Sequence, residues 1–253
     1  MKIHKHLSLV VIPAHIFLIA LIWYVQLPLF VIPAIFLTWV IIGGFGLDIG
    51  IHRIISHRQF SVNIITERIL SYLGLLGLNG SPIFWRALHV GYHHPRSDTP
   101  RDFHSPVNGG FLNAYVLYIN KLDTLKFLGC KELLNDKFQM FLQNHDASIV
   151  WVTLLLVLLV SPLACTILLA AMVMSFHQTA IVNALCHFEQ FGYATYDTKD
   201  RSRNIKWLSY LTFGLALHNN HHKYPAAPNY AMNPGEYDIG YNLAKLARFR
   251  ETE

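Results

Sequence analysis

Residues 147–188 read ASIVWVTLLLVLLVSPLACTILLAAMVMSFHQTAIVNALCHF, without one Lys or Arg. A membrane-crossing helix needs about 20 consecutive apolar residues. This stretch is long enough for two, with Ser161-Pro162 as the turn between them. Residues 7–51 are built the same way, and their turn falls near Gln26-Leu27-Pro28. All 20 Lys and Arg lie in the first five residues, in 53–137 or in 199–250. Basic residues mark the cytoplasmic side of a membrane protein. Both uncharged turns therefore face out, and both termini and every polar segment face in.

The predicted fold is an all-α integral membrane domain covering 1–253, with four transmembrane helices in two hairpins. The spans fall at about 7–27, 29–51, 147–165 and 167–187, and residues 52–146 and 188–253 form a cytoplasmic helical cap. With 53% hydrophobic and 14% charged residues the chain is too apolar for an ordinary soluble domain. The basic residues follow membrane topology and form no nucleic-acid-binding stripe. Cys130, Cys165 and Cys186 have no spacing that suggests a disulfide framework or a cysteine metal site. A cleaved signal peptide at 7–27 is the competing reading, but a second apolar stretch follows at once and no small-residue cleavage site stands out. Within the cap, 62–80 reads as a surface helix with Val62, Ile65, Ile69, Leu73 and Leu76 on its apolar face. Residues 131–145 read as another, presenting Leu133, Leu134, Phe138 and Phe141.

Nine of the 15 histidines form four clusters. His52 and His57 make an HxxxxH; His89, His93 and His94 an HxxxHH; His187 stands four residues after Asn183; His218, His221 and His222 make an HxxHH. All lie at cytoplasmic ends of spans or in the cap. Neutral imidazole is a good ligand for iron, zinc and copper. On a helix, positions i, i+3 and i+4 share a face, so His218, His221 and His222 can converge. His52 and His57 would be about 140° apart on a regular helix and converge best where a helix ends. One HxxHH alone could be an ordinary polar helix face. Four such clusters on one side of a membrane are a metal signature, and one ion takes about 4 to 6 ligands, so nine imidazoles imply two ions. The bland readings serve the other six: His4 and His6 in a solvated tail, His15 and His177 hydrogen-bonded inside the bundle, His104 and His145 at the surface or behind the ligands.

These motifs resemble those of the membrane-bound fatty acyl desaturases of the Δ9, stearoyl-CoA desaturase-like branch. Gly50–Phe60 reads GIHRIISHRQF, Phe84–Pro106 reads FWRALHVGYHHPRSDTPRDFHSP, Phe176–His187 reads FHQTAIVNALCH, and DRSRN (200–204) and HNNHHKYP (218–225) follow in family order. The resemblance covers roughly residues 40–245. It implies that His52, His57, His89, His93, His94, His187, His218, His221 and His222 bind two irons, with Asn183 holding one through a water. It implies also that Thr179 lines the acyl tunnel near its bend. Three departures stand out. The family's second box is usually HxxHH, and here one extra residue separates His89 from His93. On a regular helix His94 would then turn off the shared face: either a one-residue bulge restores convergence, or His89 is not a ligand. Gly214-Leu215-Ala216-Leu217 stands where many relatives carry Gly-Glu, and Phe103 replaces a proline.

The implied reaction is O2-dependent desaturation of a saturated fatty acyl chain, on acyl-CoA or acyl-lipid, with iron as the metal. No haem, flavin or iron–sulfur motif is visible in the sequence, so electrons come from a separate donor of ferredoxin or cytochrome b5 type. Arg53, Arg58, Arg86, Arg96 and Arg101 could hold an anionic headgroup, or simply express the positive-inside bias. The rivals are a membrane diiron fatty acid or alkane hydroxylase, and a metal carrier. The carrier would need polar ligands across the bilayer, and the spans offer little beyond His15 and His177.

Overall fold

The computed structural model describes residues 7–252, which leaves His4 and His6 outside it. Ten helices position the site. The first, α1 (Ile12–Val25), follows a π-helical turn at Leu7–Val11. The second, α2 (Val31–Ser56), starts as α-helix and continues as π-helix over Val40–Ser56. Next come α3 (Ile64–Leu75) and α4 (Pro82–Arg86), which runs into a π-helical segment, Ala87–His93. After α5 (Gly110–Tyr115) the chain enters the long pair α6 (Lys137–Val160) and α7 (Pro162–Leu185). Three short helices, α8 (Lys206–Leu211), α9 (His218–Lys223) and α10 (Ile239–Leu246), follow. A two-residue ribbon departs from the all-α expectation: β1 (Phe60–Ser61) pairs antiparallel with β2 (Arg250–Glu251), Phe60 opposite Glu251. It fastens the end of the chain beside the HxxxxH.

Among the described residues, three helices are long and apolar enough to cross a membrane: α2, α6 and α7. The first apolar stretch gives a shorter helix, Leu9–Val25. The turn at Ser161-Pro162 has a local cause. Ser161 Oγ accepts the Ala164 N–H and Pro162 sits in the first turn of α7, where its missing N–H costs nothing. The two long helices differ in how their side chains are covered. Leu155, Leu156, Leu159 and Val160 are exposed on α6, whereas α7 is largely enclosed by its neighbours.

One surface-helix expectation needs correction. Residues 131–145 are not one surface helix. Lys131–Asn135 forms one turn, and Asp136 then caps α6, accepting from the N–H groups of Phe138 and Gln139 at 2.7 and 3.0 Å. Residues 137–145 are thus the opening turns of a candidate span, which kinks at His145. The 62–80 segment folds as α3, which packs on the protein through Leu70, Ser71, Gly74 and Leu75; of the expected apolar face Leu76 is buried, and Ile65 and Ile69 are 68% and 54% exposed. Glycine dictates which side packs. A Cβ on Gly46 of α2 would stand 2.5 Å from the backbone nitrogen of Gly74, so only this pairing lets α2 and α3 touch backbone to backbone.

All three cysteines are free and buried. Burial pushes the Cys130 thiol up to about 11 and raises Cys186 further. We expect neither to react with N-ethylmaleimide at pH 8 in the folded protein, and both to react after denaturation. Mass spectrometry of the labelled chain reads this out, and rapid labelling of the native protein would contradict the packing.

Candidate metal centre

The histidines gather where α2, the π-helical segment after α4, the end of α7 and α9 meet. Backbone geometry explains how the awkward spacings converge. A π-helical bond joins residues five apart and stacks them one turn above each other. The His57 N–H donates to the His52 carbonyl at 3.0 Å, so the HxxxxH lies on one face. The His94 N–H likewise donates to the His89 carbonyl. The extra residue in HxxxHH is absorbed by that wide turn, and His89 and His94 point the same way, their Nε2 atoms 3.0 Å apart. His93, one residue earlier, points elsewhere.

Two groups result. Ligand atoms of His52, His57, His89 and His221 all lie within 4.8 Å of one another, and so do those of His93, His187, His218 and His222. His94 borders both: its Nε2 is 3.1 Å from that of His221, and its ring centroid lies 4.7 Å from that of His222. Asn183 and Thr179 are buried and line a small cavity of about 20 Å³ together with His52, His89, His218 and Leu215. Trp85 forms a further wall, stacked on His89 at 5.7 Å. The Thr179 hydroxyl donates to Asn79 Oδ1 at 2.7 Å.

The donor set fits a cation. In the second group every Nδ1 already faces an acceptor. His93 meets Asp102 at 2.8 Å, His187 meets Asp98 at 2.8 Å, His222 meets Asp200 at 2.6 Å, and His218 meets the Leu215 carbonyl at 3.2 Å. A neutral imidazole carries one proton. With that proton on Nδ1, each Nε2 is a bare lone pair. Yet the Nε2 atoms of His93 and His222 are 3.1 Å apart, and those of His187 and His218 are 3.0 Å apart. Four acceptors facing each other without a donor call for positive charge at their focus. Burial favours the neutral, metal-binding form. It holds His57, His89, His93, His94, His218 and His221 well below the ordinary imidazole value. His222 is lowered by burial although Asp200 pulls it up. At His187 burial also lowers, but the hydrogen bond and charge of Asp98 outweigh it and the net shift is upward.

All nine candidate histidines thus come together, His89 included. The sequence pattern does not single out the carboxylates behind them, although Asp98, Asp102 and Asp200 stand inside the SDTPRD and DRSRN motifs. His104 is buried beside His93, ring centroids 4.2 Å apart, while His145 is exposed. His15 and His177 do hydrogen-bond within the bundle. The Tyr115 hydroxyl donates to His177 Nδ1 at 2.7 Å, the two Nε2 atoms are 3.0 Å apart, and His15 Nδ1 donates to the Val11 carbonyl. The arginine reading is corrected at two positions. Arg53 and Arg86 are buried and bound internally, Arg86 to the carbonyls of Gly129 and Ile55, so neither is open to a headgroup.

Long apolar helices ending in histidine groups able to hold metal define a histidine-box protein of membrane type. Residues 27–235 match the fatty acid desaturase family. An sn-1 stearoyl-lipid 9-desaturase of Synechocystis is 35% identical over 83% of this chain and 67% of its own length. A Delta-9 acyl-lipid desaturase of Arabidopsis thaliana is 31% identical over 81% and 68%. An acyl-CoA 5-desaturase of Anemone leveillei is 28% identical over 83% and 67%. The chain belongs to the fatty acid desaturase family, a family of oxidoreductases.

Proposed function

We propose that the chain desaturates a saturated fatty acyl group, using O2 and electrons from a separate protein, at two irons held by the nine histidines and, through a water, by Asn183. The observation that carries this is the pair of four-histidine groups whose Nε2 atoms face one another. Two irons, when bound, supply the oxygen activation needed to take hydrogen from an unreactive methylene. The protein's share is placement and exclusion of water. Trp85, Leu215 and Thr179 form a wall next to His52 and His89, the Thr179–Asn79 hydrogen bond holds Thr179 in it, and in this reading the acyl chain would bend against that wall. Acyl-lipid and acyl-CoA carriers both occur among the relatives' names, as do positions 9 and 5. The Δ9 acyl-lipid names accompany the higher identities, and we take a Δ9 double bond as the working assignment.

The topology we propose has four spans. The 17-residue α1 region is the short one, still within the range of about 17–25 residues that cross a bilayer. Ser161-Pro162 and residues 26–30 would face outward, with the histidine cap and the basic residues in the cytoplasm. Exposed Arg101 and Arg201 would suit an acidic ferredoxin- or cytochrome b5-type donor.

Gas chromatography–mass spectrometry of lipids from cells expressing the chain tests the reaction. The expected product is a monounsaturated acyl chain that requires O2. An alcohol as the main product would assign the chain to hydroxylation instead.

A further inference from the structure

The two histidine groups differ in what stands behind them. In the second group, His93, His187 and His222 each give their Nδ1 proton to a carboxylate, at 2.8, 2.8 and 2.6 Å. Those carboxylates are themselves held in place. Asp98 accepts from Ser105 Oγ at 2.6 Å and from the Arg201 N–H at 2.7 Å. Asp200 accepts from Thr198 Oγ1 at 2.9 Å and from the hydroxyl and N–H of Ser202 at 2.5 and 3.0 Å. Asp102 accepts from the Asp98 N–H at 3.2 Å, which links two of the three. The first group has nothing comparable. His52 Nδ1 is 3.6 Å from Asp48, beyond hydrogen-bond reach, and that carboxylate is engaged by Arg53. The Nδ1 atoms of His52 and His221 are buried with no partner among the described residues. No described carboxylate pairs with His57, His89 or His94.

A carboxylate behind a histidine fixes the tautomer and ring orientation and raises the basicity of the nitrogen facing the metal. It also places negative charge on the far side of the imidazole from a bound cation, inside a poorly solvated site where such charge is weakly screened. Three carboxylates act on one group and, at longer range, one arginine-neutralised carboxylate on the other. We infer that the centre is built unequal. The group His93, His187, His218 and His222 is the tight position and fills first; the group His52, His57, His89 and His221 is the weak position and fills second. This rests on the reading that both groups hold metal. Loss of one such outer partner typically lowers affinity about 10–100-fold, so three hydrogen-bonded carboxylates against one distant, arginine-paired one separate the two positions by at least about 10-fold.

The test is metal binding by the purified full-length chain in detergent. The chain is stripped with a chelator and titrated with Co(II), whose visible spectrum follows site geometry; equilibrium dialysis gives stoichiometry. Wild type is expected to take up two ions in two steps at least about 10-fold apart. Asp200→Asn keeps an oxygen that can accept from His222 but removes the charge, and should weaken the first step about 10–100-fold while leaving the second in place. Asp98→Asn should do the same. His57→Ala should remove the second step and spare the first. Circular dichroism and gel filtration of each variant show whether it has folded, and Asp200→Glu serves as the charge-preserving comparison should Asp200→Asn not fold. Two equal steps in wild type, or Asp200→Asn weakening the step that His57→Ala removes, would overturn the inequality and leave the two-metal reading standing. Uptake of fewer than two ions by wild type would sink both.

Discussion

Replacing His89 with alanine is expected to lower desaturation by more than about 100-fold and to remove one of the two proposed metal ions, with membrane insertion intact. The magnitude follows from a comparison: removing a partner that merely orients a ligand costs about 10–100-fold, and a ligand removed outright costs at least as much. His89 is the sharpest choice because its spacing argues against it and its geometry argues for it. On an α-helix, HxxxHH would put His89 and His93 together and send His94 away. The π-helical segment Ala87–His93 reverses that partition. The His89 Nε2 lies 3.0 Å from that of His52, 2.9 Å from that of His57 and 3.0 Å from that of His94, and His93 instead joins His187, His218 and His222. One short motif therefore supplies both groups. Metal content by plasma mass spectrometry, alongside product analysis, checks the prediction. Full activity and two ions in His89→Ala would return the role to eight histidines and leave the wide turn without a purpose.

The histidine clusters were legible because metal ligands must be polar, and polar side chains are conspicuous beside apolar spans. The second hairpin was legible because Ser161-Pro162 is both an N-cap and a break in an otherwise apolar run. Helix boundaries were harder to read. Hydropathy ends α2 near residue 51, but the chain keeps coiling to Ser56, since a π-helical backbone carries the apolar span straight into the HxxxxH. Hydropathy likewise begins a span near 147, where Asp136 in fact caps a helix starting at Lys137, because Gln139, Leu142 and Gln143 find buried partners or packing there. Polar residues that fold inward look the same in a sequence as those that stay in water. Asp98, Asp102 and Asp200 are inconspicuous for this reason, and for the same reason the sequence leaves open for Arg53 and Arg86 a headgroup role that their burial removes.

Arg53 carries the second large prediction: Arg53→Met should destabilise the protein by about 3–5 kcal/mol, the cost of breaking a buried ion pair from one side. The side chain is fully buried. Its Nε contacts Asp48 at 3.0 Å, its Nη2 contacts Asp238 at 2.8 Å and the Phe213 carbonyl at 3.2 Å, and its Nη1 reaches the Pro228 carbonyl at 2.7 Å. The guanidinium also lies 4.1 Å from the Tyr230 ring, which packs against His221 with centroids 4.7 Å apart. One cation thus joins α2 to the segment that leads into α10, where Asp238 is the N-cap. Methionine fills much of the same volume but strands two buried carboxylates. The packing around them is close: a Cβ at Gly240 would collide with the Asp48 carboxylate. Total stabilities of domains are about 5–15 kcal/mol, so the loss should show as a large drop in melting temperature in detergent, or as failure to accumulate. Lysine keeps the charge without the planar fork that meets both carboxylates and both carbonyls at once, and should fall between wild type and Arg53→Met. The alternative role gives the opposite signature. An arginine that held a substrate headgroup would, when replaced, raise KM and leave the melting temperature where it was. That result would move Arg53 out of the scaffold and into the substrate site.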